Sequence, residues 1–207
     1  MNPQAQIMAK QALLSVLALV CLAACPSWAI ADQPSVNPTS MSFAAGGTIR
    51  LELNKGTMEV VGVPGDKITV SWHSPSSQNE RDVIVKLQRF GEKNATIVVD
   101  GPGNRMRYHI EVPRQSNITI RMRAGELEVQ DIAGSLDAEL LAGEMDLHVA
   151  QPRHYRNVSA SVTAGELNAR PWHIETGGLW RSFKASGEGE YNLRARLLAG
   201  QLRIRSE

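Results

Sequence analysis

Three glutamates recur at one position of a repeated pattern, and their type and spacing come nearest to those of a binding site. Glu126, Glu144 and Glu166 each directly follow a glycine that is preceded by alternating apolar residues. If the repeats stack in register, the carboxylates form a ladder with about 5 Å between neighbours, and carboxylate oxygens are preferred ligands of divalent cations. Two further copies of the pattern carry Thr57 and Gln201 instead. We therefore expect a solvated row relieved by nearby arginines rather than a metal site.

The remaining reactive residues lack the spacing that catalysis or metal binding requires. No two histidines show the His-Glu-x-x-His spacing of zinc enzymes, and no serine lies in a Gly-x-Ser-x-Gly turn. The glycines of residues 101–103 and 187–189 do not lead from a strand into a helix, as phosphate-binding loops do. The sequence therefore predicts a non-enzymatic protein without a cofactor or a metal. The histidines are His73, His109, His148, His154 and His173.

Four aromatic residues form the second candidate site. Trp172 and Trp180 flank an insert in the last part of the chain, and Phe183 and Tyr191 follow it. Two interpretations stay open, because aromatic side chains serve both packing and recognition. The cluster either covers one end of the fold or forms a face that binds a glycan or an envelope partner.

The placement of these residues depends on a pattern that is centred on five glycines. Apolar or small residues lie seven, five, three and one positions before each glycine, and two and four positions after it, with Lys55 as an exception. Such alternation predicts a strand with one buried face. Because the inward parity reverses across each glycine, the strand must turn a corner or bulge there. The corner glycines are Gly56, Gly125, Gly143, Gly165 and Gly200.

The repeated corners predict an all-β domain over residues 44–207. A single strand–corner–strand unit cannot bury its apolar face alone, so the units are expected to stack into a β-solenoid or β-roll. The alternative is an antiparallel β-sandwich in which the glycines are bulges. No window of 11 residues shows sustained helical periodicity, so we expect almost no helix in this domain.

The first 31 residues predict an export signal. Lys10 precedes an apolar run over residues 12–24, and Ala29 and Ala31 place small residues at the positions required for cleavage before Asp32. The run is too short for an ordinary membrane span. Residues 32–43 are polar and contain two prolines, which is typical of a flexible lead-in.

A lipoprotein signal is the second interpretation of this region. Residues 22–25 read Leu-Ala-Ala-Cys and are similar to the bacterial lipobox, in which the cysteine is lipidated. In that case residues 1–24 are removed, and the lipid on Cys25 is the chain's one link to a membrane. The protein would then be an outer-membrane lipoprotein, whereas cleavage after Ala31 predicts a protein of the periplasm or the cell surface.

Cysteine content and charge narrow the remaining classes. The two cysteines are Cys21 and Cys25, so cleavage after Ala31 leaves no disulfide, no thiol nucleophile and no cysteine metal site. The same cleavage leaves equal numbers of basic and acidic residues. A balanced charge provides no electrostatic attraction to nucleic acid or to anionic lipid.

The strand that ends in a proline, followed by the glycine repeats, resembles a known family. Residues 110–113 read Ile-Glu-Val-Pro, and residues 117–129 contain the first complete repeat of the second half. They resemble the putative-adhesin family of bacterial envelope proteins, with its valine-x-valine-proline strand and serial small–Gly–acidic–apolar rungs. The resemblance covers about residues 45–206 and implies an exported β-solenoid-like domain with a structural or adhesive role. It implies no catalytic residues.

Overall fold

Strands account for most of the chain that the structure describes. The computed structural model describes residues 35–103, 105–149 and 152–206, and the unit that contains them runs from Gln33 to Glu207. The predicted export signal and Cys25 lie outside the described residues. The strands are β1 (Thr39–Ser42), β2 (Thr48–Val63), β3 (Lys67–His73), β4 (Ile84–Phe90), β5 (Asn94–Asp100), β6 (Arg107–Pro113), β7 (Asn117–Ile132), β8 (Leu136–Val149), β9 (Tyr155–Ala169), β10 (Ile174–Ser186) and β11 (Tyr191–Ser206).

Helical structure is confined to short segments of the described chain. One α-helix, α1 (Ser77–Arg81), has five residues, and two 3-10 turns cover Pro152–His154 and Arg170–Trp172. The expectation of an all-β domain is therefore confirmed.

The strands form one open sheet in which the glycine-centred strands lie side by side. Its order is β1-β3-β6-β2-β7-β8-β11-β9-β10, with β5 paired to β2 and β4 paired to β5. Neighbours among β2, β7, β8, β11 and β9 are parallel and in register. Their glycines consequently form a line across the sheet in the order Gly56, Gly125, Gly143, Gly200, Gly165.

Every glycine on this line has a backbone conformation that side chains resist. Their φ angles lie between 124° and 136°, in the region that glycine alone adopts readily. Space is also lacking, since a Cβ on Gly143 would lie 1.8 Å from the carbonyl oxygen of Gly125. The bend keeps both halves of each strand facing one core. In β7, Ile120 and Met122 before the glycine and Leu127 after it are all buried.

The buried alternation stops earlier than the sequence pattern predicts. The alanines directly before four of the glycines were expected to continue the apolar face, but all four are partly or fully exposed. The bend already begins at this position and turns the residue away from the core. These residues are Ala124, Ala142, Ala164 and Ala199.

The core narrows along the stack. Five positions before each glycine lie Leu51 and Ile120 in β2 and β7, followed by Ala138, Ala195 and Ala160 in β8, β11 and β9, and each is 0% exposed. Both halves of the bent sheet direct apolar side chains toward this core, so the sheet is compatible with the sandwich-like alternative. The coil of a solenoid stays a prediction.

At the β2 end, the sheet divides into two branches. Strand β5 pairs with β2 before Gly56, whereas β6 pairs with β2 after it. Tyr108 of β6 fills the space between the branches, and its ring would lie 2.9 Å from a Cβ on Gly56. Burial, and secondarily the charge of Asp100, raise the pKa of Tyr108 to about 12. Phe43, Met106 and Tyr108 are each 1% exposed, so this end of the core is well covered.

Candidate partner-binding surface

The glutamates that follow the corner glycines form a row whose order differs from the chain order. Gln201 lies between Glu144 and Glu166, because β11 is inserted between β8 and β9. The predicted run of three adjacent carboxylates is therefore wrong. Only Glu126 and Glu144 are direct neighbours, and a hydrogen-bonding side chain follows at each end of that pair. Strand insertion, which the sequence pattern does not encode, accounts for the difference.

Neutral donors and arginines relieve the charge of this row. The Thr57 hydroxyl donates to a Glu126 oxygen at 3.2 Å, and the Gln201 amide donates to a Glu166 oxygen at 2.6 Å. The Arg203 guanidinium donates to Glu144 at 3.2 Å and also to the Gln201 carbonyl oxygen. Within the described ranges, no group of three His, Cys, Asp or Glu residues has the geometry of a metal site. Hydrogen bonds and ion pairs within the row therefore balance its negative charges.

The arginines of β11 lie on the outer face of the sheet. A strand that ends in Arg203 and Arg205 would discourage edge pairing if it were terminal, but β11 is an interior strand. Arg205 instead lies 2.8 Å from the Oδ2 atom of Asp146 in β8, and Arg203 lies 3.7 Å from the same oxygen. These pairs join neighbouring strands on the outer face of the sheet.

Three of the five histidines, His73, His109 and His148, lie beside one or two carboxylates. His73 Nδ1 is 2.8 Å from Glu80, and His109 Nδ1 is 3.0 Å from Glu59. His148 Nε2 is 3.7 Å from oxygens of both Glu128 and Asp146. These arrangements are ordinary exposed ion-pair geometries.

The four predicted aromatic residues fall into two groups. Trp172, Phe183 and Tyr191 are partly buried and pack against the core. The ring centroids of Trp172 and Phe183 are 5.6 Å apart, and Tyr155 lies 6.5 Å from Trp172 and 6.3 Å from Tyr191. Tyr155 was not singled out from the sequence, although it is an aromatic residue at a strand start. Trp180, by contrast, is 79% exposed.

Trp180 belongs instead to a row of exposed apolar side chains along the bend, here called the corner ridge. Leu141 and Leu198 occupy the second position before their glycines, and the register places them beside each other between the pairs Leu140–Leu197 and Ala142–Ala199. Trp180 lies in β10 between the pairs Leu179–Ala164 and Arg181–Val162. The corner ridge comprises Leu141 (42% exposed), Leu198 (52%), Leu179 (66%) and Trp180 (79%).

The sequence contains one indication of the corner ridge, namely two leucines at positions that the glycine pattern assigns to the outer face. The two leucines stand at outward parity, where the corresponding residues of β2 and β7 are Asn54 and Arg123. Outside the ridge, the described residues include two large exposed apolar side chains, Val36 and Phe90. Four of the six therefore lie at the bend, as two pairs that Thr163 of β9 separates.

A polar cleft of about 440 Å³ lies near this ridge on the outer face of β9, β10 and β11. Glu166, Glu175, Arg170, Arg203 and Arg205 contribute its charges, and no aromatic ring lines it. A stacking platform for a sugar is therefore not part of the cleft.

Comparisons with known proteins support the architecture. No family model matches the sequence, and no curated protein matches it. The structure is similar to that of a putative cell adhesion protein from Clostridium sporogenes, with 15% identity, coverage of 82% of this chain and 100% of that chain, and a TM-score of 0.50. At this identity, the likeness shows a shared fold alone.

Two further structures match with lower scores. A putative adhesin from Bacteroides fragilis matches at 12% identity over 84% of this chain and 99% of its own, with a TM-score of 0.34. A putative adhesin from Parabacteroides merdae matches at 9% identity over 82% of this chain and 91% of its own, with a TM-score of 0.31. TM-scores this low do not establish a shared fold.

Among the described residues, the helices are too short to span a membrane. The chain thus shares its overall architecture with a bacterial protein of the kind that the sequence resemblance names.

Proposed function

We propose that the chain is an exported, non-enzymatic protein of the bacterial cell envelope whose β-solenoid-like domain acts as an adhesive surface. The observation that carries this proposal is the corner ridge. Four large apolar side chains lie at one bend of a sheet, in two pairs on either side of Thr163, and the other outward positions are mostly charged or polar. An exposed apolar row with a polar surround is typical of a protein-binding site.

The partner that fits the ridge is an envelope protein with an apolar strip of its own. Tryptophan and leucine side chains gain most from desolvation against another apolar surface. The similar structure from Clostridium sporogenes is that of a putative cell adhesion protein, which supports an adhesive role of this kind. Export, by either predicted signal, would bring the domain to the periplasm or the cell surface.

We favour the corner ridge over a glycan-binding face built from Trp172, Phe183 and Tyr191. Those three rings pack against Tyr155 or against one another and are partly buried by the core. Sugar recognition by stacking requires an accessible ring face. Replacing Trp172 by alanine should therefore destabilise the domain rather than remove a binding site.

The proposal is tested by binding of the exported protein to envelope fractions of its native host. We expect the double variant Trp180→Asn, Leu198→Ser to lose at least about tenfold in affinity, because it removes two ridge anchors. Asparagine is chosen because Trp180 has a φ of 55°, which asparagine tolerates. Binding is measured by co-sedimentation with outer-membrane and cell-wall fractions.

The matched control is Phe90→Ser, which removes a 58% exposed apolar side chain from β4, away from the ridge. It should bind as the unaltered protein does. Equal binding by the ridge variant and the control, with both folded as judged by thermal unfolding, would contradict the proposed role of the ridge.

A further inference from the structure

The two ends of the sheet differ in how their outer edges are protected. One end divides into two branches, which terminate in β1 with four residues and in β4 with seven. Short edge strands limit pairing with other chains, and the Ser35 hydroxyl also bonds to both backbone groups of Val85 in β4. The other end terminates in β10, which has 13 residues. In the part of the chain that the structure describes, β10 pairs with β9 along one edge and has no strand along the other. This edge presents a long row of backbone donors and acceptors.

The core is also left open beside β10. Positions of β9 that face the core, such as Val162 and Leu167, are 1% and 0% exposed. The core-facing residues Ile174, Phe183 and Ala185 of β10 are only partly buried, and no residue of β10 is fully buried. A further strand would complete the burial of these side chains, much as β10 completes that of β9.

We propose that the free edge of β10 pairs antiparallel with β10 of a second copy, so that the two sheets join around a two-fold axis. An isologous contact of this type is closed, because each copy uses its one long edge. At the far end, the short β1 and the seven-residue β4, to which Ser35 is already bonded, give little further edge for growth. The expected assembly is therefore a dimer rather than a fibre.

The bend in β10 restricts the possible registers. Before the bend, the core-facing residues are even-numbered (Ile174, Thr176), whereas after it they are odd-numbered (Phe183, Ala185), as their partners in β9 show. Directly opposite residues in an antiparallel pair share a face of the sheet. An even-numbered residue must therefore face an odd-numbered one if both copies are to contribute to one core.

Two allowed registers bring the bends of the two strands close together. The first places Gly178 opposite Leu179 of the second copy, and it pairs Glu175 with Ser182. The second places Leu179 opposite Trp180, and it pairs Glu175 with Lys184 on the outer face at both ends. Within the described residues, neither Glu175 nor Lys184 has an ion-pair partner in its own chain. Opposite charges stabilise such pairs, so the second register is favoured.

The favoured register pairs uncharged side chains toward both ends of the core side, and it leaves the exposed Arg181 opposite Gly178 near the axis. It places Ile174 opposite Ala185 and Thr176 opposite Phe183, all on the core side. Leu179 and Trp180, which are 66% and 79% exposed in the single chain, meet their counterparts at the two-fold axis. The pairing would thus join the two corner ridges into one continuous strip.

Cysteine crosslinking tests both the pairing and its register. In the exported protein with Glu175→Cys and Lys184→Cys, mild oxidation should give a covalent dimer, because directly opposite Cβ atoms lie about 4.5–5.5 Å apart. The two positions are too distant along the strand, by nine steps of about 3.3 Å before the bend, to react within one chain. The matched control is Glu175→Cys with Ser182→Cys, which reports on the other register. A crosslink in the control, or in neither protein, overturns the proposal.

Charge reversal provides a second test without cysteines. Sedimentation of the exported protein should show twice the mass of one chain, and Glu175→Lys should raise the dissociation constant at least about tenfold. The combined Glu175→Lys, Lys184→Glu protein should return to within about threefold of the original value. Glu188→Lys, in the loop after β10, makes the same change in net charge and should have no effect. A monomer throughout, or no rescue by the combined protein, contradicts the pairing.

This test can fail independently of the proposed adhesive role. Leu198→Ser weakens envelope binding if the ridge is adhesive, but it lies on β11 and should leave the dimer intact. The Lys184→Glu protein should dissociate into single chains that still present a folded ridge. Loss of dimerisation with retained binding, or the reverse, separates the two ideas.

Discussion

At the scale of single residues, the corner glycines determine the shape of every long strand. Each has a φ that disfavours a side chain. Four of the five pack against the backbone of a neighbouring glycine, whereas Gly56 lies beside the Tyr108 ring and the Met106 carbonyl oxygen. A Cβ on Gly165 or Gly200 would lie 1.8 Å or 1.9 Å from a neighbouring carbonyl oxygen. The requirement is therefore both conformational and steric. No rearrangement of a flexible side chain can relieve it, since the clashing atoms are backbone.

Substitution at the central corner tests this account. Gly143→Val should lower the free energy of unfolding by more than about 3 kcal/mol, because valine combines an unfavourable φ with a backbone clash. Glu144→Val at the next, exposed position should cost within about 1 kcal/mol, since it loses a surface ion pair with Arg203. Urea unfolding followed by circular dichroism measures both. Similar losses for the two variants would mean that the corner is not the constraint.

At the scale of elements, strand order determines what the repeats place together. The last repeat, β11, is inserted between the second and third repeats of the C-terminal half. This insertion separates Glu144 from Glu166 and leaves β10 at the edge. It also places Arg203 and Arg205 on an interior strand of the sheet, where they pair with carboxylates on the outer face. It also brings Ala138, Ala195 and Ala160 together. The three alanines make the core narrow at this level.

Filling this narrow level should be unfavourable. Ala195→Leu adds three carbons where the side chain is 0% exposed and alanines lie on both neighbouring strands, so we expect a loss of about 1–3 kcal/mol in the free energy of unfolding. Arg194→Leu, on the exposed side of the same strand, is the matched control and should change stability by no more than about 0.5 kcal/mol. A stabilising Ala195→Leu substitution would show that the core has unfilled space at this level.

At the scale of the whole molecule, the domain has one covered end and one open end. Tyr108, Phe43 and Met106 cover the core beside β2, whereas among the described residues no strand follows β10 at the opposite end. The corner ridge runs toward that open end. A domain built in this way can be tethered at its N-terminus while it presents the ridge and the β10 edge to other proteins.

Cleavage of the export signal decides whether the domain is tethered to a membrane. The intact mass of the protein from fractionated native cells should correspond to a chain that begins at Asp32 in the soluble fraction, if cleavage follows Ala31. A mass that begins at Cys25 with added lipid, in the membrane fraction, would instead identify a lipoprotein. Its stalk would then end before Ser35, which bonds to Val85, because β1 and the buried Phe43 belong to the folded domain rather than to a flexible lead-in over residues 32–43. A mass that retains residues 1–24 would exclude both predicted processing events.

The sequence by itself determined the all-β class, the corner glycines and the in-strand alternation, because these depend on local periodicity and on the backbone freedom of glycine. Their offsets correctly predicted buried residues such as Ile120 and Leu127 on both sides of a bend. The alanine before four of the five glycines was assigned wrongly to the core, because the onset of the bend depends on backbone geometry that alternation does not describe.

Only the tertiary structure decided which strands are neighbours. Pairing between distant segments depends on how the chain crosses over, and the identical offsets of all five repeats make their order in the stack indistinguishable from the sequence. Strand order consequently determines four features: the carboxylate row, the separation of Trp180 from the other aromatic residues, the alignment of Leu141 with Leu198, and the exposed edge of β10. The residues were available in the sequence, but their common surface is a property of the folded sheet.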